Sequence, residues 1–291
     1  MSPESQTIAL AISAAFVSAA TNITFAPALR QMGSFALAQF NNVGNTILLG
    51  AVGFWLYEPG SFRWEALAWF GVLGVMNYSI NRWVFYTGMN IVGPARHITI
   101  TSMVPLPSLI LAVIFLGEEP GRWVVLGTVL VVFGIAAVSY EPSGGRWFRA
   151  GVGWSLTSML MLVASAFMRK QGMSYMAAPA LLTAWSALVA IPTSETFRHF
   201  LPKRYFEWGS KHYIPLLVFG TTLNGLMQIL INLSLKGKIS LAVPILSSTP
   251  IFALCLSALF LRNIERLTAR VVLGILIAVL GIVAVSIGRH G

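Results

Sequence analysis

Four stretches of this sequence bring amides, hydroxyls and one guanidinium into otherwise apolar company. Gln39, Asn42 and Thr46 recur at helical spacing with Asn41 and Asn45 beside them, and Thr221, Asn224, Gln228 and Asn232 form a second stripe. Asn77, Tyr78, Asn81 and Arg82 lie within six residues, and Ser247, Ser248 and Thr249 precede Pro250. Such groups bind a polar solute through hydrogen bonds, and a guanidinium grips a carboxylate with two parallel ones. They do not compose a reaction centre. The sequence has no HExxH, no paired carboxylates, and only four histidines, scattered over 291 residues. An embedded enzyme is therefore disfavoured, and no catalytic residue, metal or cofactor is expected.

The elements that must hold these groups are membrane spans. Hydrophobic residues make up 56% of the chain and charged ones 10%, against about a quarter charged in soluble domains. Ten stretches are long and apolar enough to cross a bilayer: roughly 7–29, 35–57, 66–92, 94–116, 122–140, 151–168, 175–193, 213–234, 240–261 and 268–288. Little chain remains for a soluble domain. The formal charge of +10 does not point to nucleic acid, because the basic residues sit singly or in pairs at span ends, where loops and lipid headgroups account for them. The connection from Ser194 to His212 mixes basic and aromatic residues, as suits a segment lying among headgroups. Cys255 is the sole cysteine and cannot form a disulfide within one chain. The first span has no basic residue before it and reads as retained rather than cleaved.

Depth sharpens the candidates. Span 3 is centred near residue 79, so Arg82 lies only about 4–5 Å past the middle and needs an internal anion, a carbonyl or water. Asn22 in span 1, Asn42 and Asn45 in span 2, and Asn77 and Tyr78 in span 3 are expected along a substrate path. So are Asn224 and Gln228 in span 8 and Ser248 in span 9. Pro105 and Pro250 break spans 4 and 9 at their centres and are expected to act as hinges. No aspartate or glutamate falls inside a span, so the expected carrier runs down its substrate gradient or is coupled weakly through another group.

The chain also repeats itself. Pro105 pairs with Pro250 and Leu116 with Leu261 at an offset of 145, and after a two-residue insertion Gly127 pairs with Gly274 and Gly134 with Gly281. Residues 1–143 and 144–291 are expected to be two copies of one five-span unit. An odd number of crossings leaves the second copy upside down. The expected fold is thus an all-α integral membrane protein of ten transmembrane helices in two inverted repeats, with a polar site at their interface near mid-membrane. Halves that exchange conformations expose such a site first to one side and then to the other.

The central proline of span 4, the Leu116-Gly117-Glu118 exit and the Gly127/Gly134 helix recur in a ten-span chain of this length. Together they resemble the EamA-type branch of the drug/metabolite transporter superfamily. The resemblance implies a secondary transporter of small metabolites, an exporter of amino acids or related polar compounds across a bacterial inner membrane. The sequence departs from that pattern at Leu261-Arg262-Asn263, and at Asn41 and Asn42, where such proteins commonly carry an arginine. A lipid or lipid-linked sugar flippase and a non-transporting sensor or assembly subunit are the alternatives. The expected partners are a small-molecule substrate and membrane lipids, with no nucleic acid, in a monomer or a homodimer.

Overall fold

The computed structural model describes residues 3–29, 32–58, 60–92, 100–101, 103–139, 152–249, 251–252, 255–256 and 269–288. The first half runs through α1 (Pro3–Leu29), α2 (Ser34–Trp55), α3 (Trp64–Leu73), a π-helical segment (Gly74–Ile80), α4 (Asn81–Val92), α5 (Pro105–Leu116) and α6 (Arg122–Ser139). The second half contains α7 (Val152–Tyr175), α8 (Pro179–Phe197), α9 (Ile214–Leu235), α10 (Ile239–Leu246) and α11 (Ala269–Ile287). The π segment continues α3 into α4, so span 3 is one rod with a widened middle.

Packing between the halves follows a single exchange rule. Span 1 (α1) lies against α9 of span 8, and span 6 (α7) lies against the α3–π–α4 rod of span 3. Those two contacts interchange when the halves are swapped. Three further pairs, α2 with α8, α5 with α10 and α6 with α11, map onto themselves. The glycines give the most detailed case. A side chain at Gly127 would meet the Gly281 carbonyl at 2.5 Å, and one at Gly134 would meet the Gly274 carbonyl at 2.6 Å. Since Gly127 corresponds to Gly274 and Gly134 to Gly281, the two contacts are images of each other. The pseudo-twofold axis passes between them.

The loops show that the copies point opposite ways. Glu4, at the start of α1, pairs with Lys238 at 2.8 Å. Lys170, near the end of α7, pairs with Glu118, whose carboxylate also accepts from the backbone amides of Ile239 and Ser240. The first helix of one repeat therefore begins on the face where the first helix of the other ends. On the opposite face, the Gly33 amide donates to the Glu207 carbonyl at 2.8 Å, joining the turn after α1 to the connection after α8.

The outside of the bundle carries Ile47, Phe54, Ile114, Phe133 and Leu280, all exposed, while Asn42, Ser186 and Asn232 are fully buried. That arrangement suits lipid as solvent. Among the described residues, the helices over Pro3–Phe25, Val152–Tyr175 and Lys211–Leu235 are long and apolar enough by themselves to cross a bilayer. In the 194–212 connection Phe200 and Trp208 are exposed, and Phe206 stacks on Phe35 with ring centroids 4.9 Å apart.

Candidate functional site

The site is built along α9. Thr221, Asn224, Gln228 and Asn232 form a rail on one face of that helix, all buried. Its first two rungs meet α2 and its last two meet α7. The Thr221 hydroxyl donates to Asn41 Oδ1 at 2.9 Å, and Asn45 Nδ2 donates to Asn224 Oδ1 at 3.0 Å, both from α2. One turn on, Gln228 Oε1 accepts from Arg169 Nη2 at 2.9 Å, and Asn232 Oδ1 accepts from Arg169 Nη1 at 2.5 Å. Asn232 Nδ2 donates in turn to Thr183 of α8 at 2.9 Å. Arg169 Nη2 also donates to the Tyr78 hydroxyl at 3.2 Å, and the guanidinium lies 6.0 Å from that ring's centroid.

Arg169 is only 4% exposed, so the bundle holds a guanidinium whose hydrogen-bond partners among the described residues are all neutral oxygens. Arginine does not shed its charge by losing a proton. Without a facing carboxylate its burial remains expensive, because amide and phenol dipoles replace only part of the lost hydration.

The sequence placed this charge at Arg82. In the structure Arg82 is half-buried and makes no hydrogen bond or ion pair with the described residues, while Asn81 turns inward, donating to Asn77 and accepting from Ser158. Depth along a span does not fix which way a side chain faces, and neighbouring residues point about 100° apart around a helix, so Asn81 takes the inner face and Arg82 does not. The π segment widens the rod just before them. The same segment places Tyr78 against the guanidinium. Sequence reasoning missed Arg169 by ending span 6 at residue 168, whereas α7 continues to Tyr175. A signal was present: Ser155, Ser158 and Ser165 precede Arg169 on one buried face at helical spacing.

The remaining candidates divide. Asn45, Asn224, Gln228 and Tyr78 all take part in the hydrogen bonds just described. Asn42 is fully buried but lies on the other polar face of α2, with Gln39, which donates to the Ile191 carbonyl and to Glu195 of α8, both at 3.1 Å. The buried Oδ1 atoms of Asn42 and Asn45 have no hydrogen-bond partner. Asn77 is half-buried beside Asn81. Asn22 is exposed on α1, because Thr21 takes the inward position and the next residue points about 100° away around a helix. The Ser248 hydroxyl donates to its own helix at the Ile245 carbonyl, so it faces backbone rather than a path. The amides pair across the α2–α9 seam, and a shallow recess of about 620 Å³ lies elsewhere, between α3 and α8, lined by Leu67, Val72, Met76 and Trp185 among others.

The expected break in span 4 is present. Met103 N donates to the Ile100 carbonyl and Leu106 N to the Met103 carbonyl, three-residue bonds on either side of Pro105, the first residue of α5. In span 9, Ser248 N donates to the Ile245 carbonyl and Ile251 N to the Ser248 carbonyl, the same two bonds 145 residues later. Pro250 itself lies outside the described residues.

At the membrane edge, Glu118 closes the network. Gly117 ends α5 in a left-handed conformation, φ +62°, that favours glycine, and lets Glu118 N reach the Ala112 carbonyl at 3.1 Å. The carboxylate is thereby aimed at the start of α10. Burial alone would raise its pKa. Lys170, the Ser240 hydroxyl and amide, and the Ile239 amide more than offset this, leaving the group below the usual carboxylate range.

Comparison with known proteins fits this architecture. The EamA-like transporter family matches the chain twice, over residues 5–140 and 149–287. A solved structure described as "Crystal structure of protein" superposes with a TM-score of 0.80 at 12% identity, covering 99% of this chain and 100% of that one. No curated protein matches the sequence.

Proposed function

Because the chain belongs to the EamA-like transporter family, we propose that it exports small polar metabolites, amino acids or related compounds, across a bacterial inner membrane by alternating access. The observation that carries this reading is the α9 rail. Hydrogen-bonding groups from both repeats meet at one buried seam, where the unpartnered Oδ1 atom of Asn45 leaves an acceptor for a solute. Interhelical bonds between neutral groups contribute about 0.6 kcal/mol each. A solute with its own donors and acceptors replaces them at little cost, and the symmetric breaks in spans 4 and 9 supply points at which the halves flex.

The carboxylates in and near the spans stand at helix ends: Glu65 opens α3, Glu195 lies in the last turn of α8, and Glu118 follows α5. This supports transport down the substrate gradient. Purified protein in proteoliposomes should move radiolabelled amino acids with pH and sodium equal on both sides, and Asn224→Leu should slow that flux severalfold. Flux that vanishes when the proton gradient is removed would contradict uncoupled transport, and absence of flux for any polar solute would contradict the carrier reading itself. A flippase has less support, since the recess beside Trp185 is lined by apolar residues and offers a headgroup little to bind.

A further inference from the structure

The carrier reading assigns cargo to the α9 rail; the chemistry of that cargo follows from charge accounting around Arg169, and the inference rests on that reading. We propose that Arg169 anchors a carboxylate that the cargo itself supplies.

Three observations carry the proposal. First, the guanidinium is buried in the bundle with only amide and phenol oxygens as hydrogen-bond partners among the described residues, so its charge is unbalanced there, where imbalance costs most. Second, the neighbouring carboxylate is committed elsewhere. Glu118 is held by Lys170 and by the start of α10, so the adjacent residue on α7 is neutralised while Arg169 is not. Third, the three bonds use both Nη2 hydrogens and one on Nη1, and leave Nε–H and the second Nη1–H without an acceptor among the described residues, donors that an incoming anion can use. A single fixed positive charge matches a monoanion. A phosphate monoester, carrying nearly two charges, would call for a second cation, and Lys170 is occupied.

On this account Tyr78, Gln228 and Asn232 hold the guanidinium between transport events, and the cargo carboxylate exchanges for one or two of those neutral acceptors. The unpartnered Oδ1 of Asn45 lies about one turn away along the rail, at the level of Asn224, where it accepts from a donor elsewhere on the same molecule.

The test uses full-length protein in detergent, with tryptophan fluorescence reporting thermal unfolding. The probes are aliphatic and aromatic monocarboxylates, including α-amino acids, each beside its primary amide, with sodium chloride and inorganic phosphate alone as separate arms. At least one carboxylate should raise the unfolding temperature while its amide does not. Arg169→Lys should weaken that binding about tenfold, and Arg169→Gln should remove it. Asn232→Asp guards against a variant that fails to fold: it supplies an internal counter-ion, so it should keep or raise stability while weakening carboxylate binding about tenfold or more. Equal effects of carboxylate and amide, response to phosphate or chloride only, no response to any probe, or unchanged carboxylate binding in Asn232→Asp would each overturn the anchor. Proteoliposome flux of the same probes separates the two readings. Amides crossing as fast as carboxylates defeats the anchor and leaves the carrier standing, whereas carboxylates that bind at Arg169 but never cross defeats the carrier and leaves the anchor.

Discussion

Arg169 and Lys170 are consecutive, and they hold different layers of the molecule together: one reaches the polar rail, the other the Glu118 carboxylate. Any rotation of α7 that frees the guanidinium also strains the ion pair at the membrane edge. Glu118 contributes through four groups, the Lys170 ammonium, the Ser240 hydroxyl and two backbone amides. Glu118→Gln should therefore lower stability by about 2 kcal/mol at neutral pH, read as a lower unfolding temperature in detergent. The pH dependence has a definite sign. The folded pKa is depressed, so this contribution is fully present above the ordinary carboxylate range and is lost as pH falls through the lowered folded value. The gap between wild type and Glu118→Gln should close on acidification, and a gap that widened would contradict the assignment.

At the scale of elements, the glycine crossing of α6 and α11 permits no substitution. A side chain at Gly134 would sit 2.5 Å from the Ala278 amide nitrogen, so backbone must move to admit it. Gly134→Ala should cost about 1–3 kcal/mol and broaden the size-exclusion profile. Gly153→Ala, with nothing within 4 Å, should not. This crossing was legible in the sequence, because glycines at a seven-residue interval repeat in register between the halves. The α9 rail was legible for a similar reason, as undistorted helix keeps its 3.6-residue phase from Thr221 to Asn232. Span 3 was not legible in this way. Nothing in Gly74–Ile80 announces a π turn, and depth in the span does not decide between Asn81 and Arg82 for the inner face. On α2 the stripe through Gln39 and Asn42 was correctly seen as polar, yet two partners claim that helix: Asn41 and Asn45 turn to α9 and Gln39 to α8. A sequence read one helix at a time cannot apportion faces between two neighbours.

For the molecule as a whole, inversion makes the two membrane faces equivalent in architecture but not in chemistry. One face carries the carboxylate that grips α10; its counterpart in the other half is Asn263, which lies outside the described residues. The basic residues give no independent orientation, since apart from the 194–212 connection and the arginines within spans they divide almost equally between the two sides. Relative orientation of the halves is nevertheless directly measurable. With Cys255 replaced, single cysteines at Pro3, Tyr175, Gly153 and Trp208 in sealed proteoliposomes, inserted in one orientation, are treated with a membrane-impermeant maleimide from outside. The account predicts that Pro3→Cys and Tyr175→Cys, the start of α1 and the end of α7, label together or are protected together. Gly153→Cys and Trp208→Cys should show the opposite response. Labelling of Pro3→Cys and Gly153→Cys from the same side would mean that the two repeats run parallel, and the exchange of halves on which the transport cycle depends would be lost.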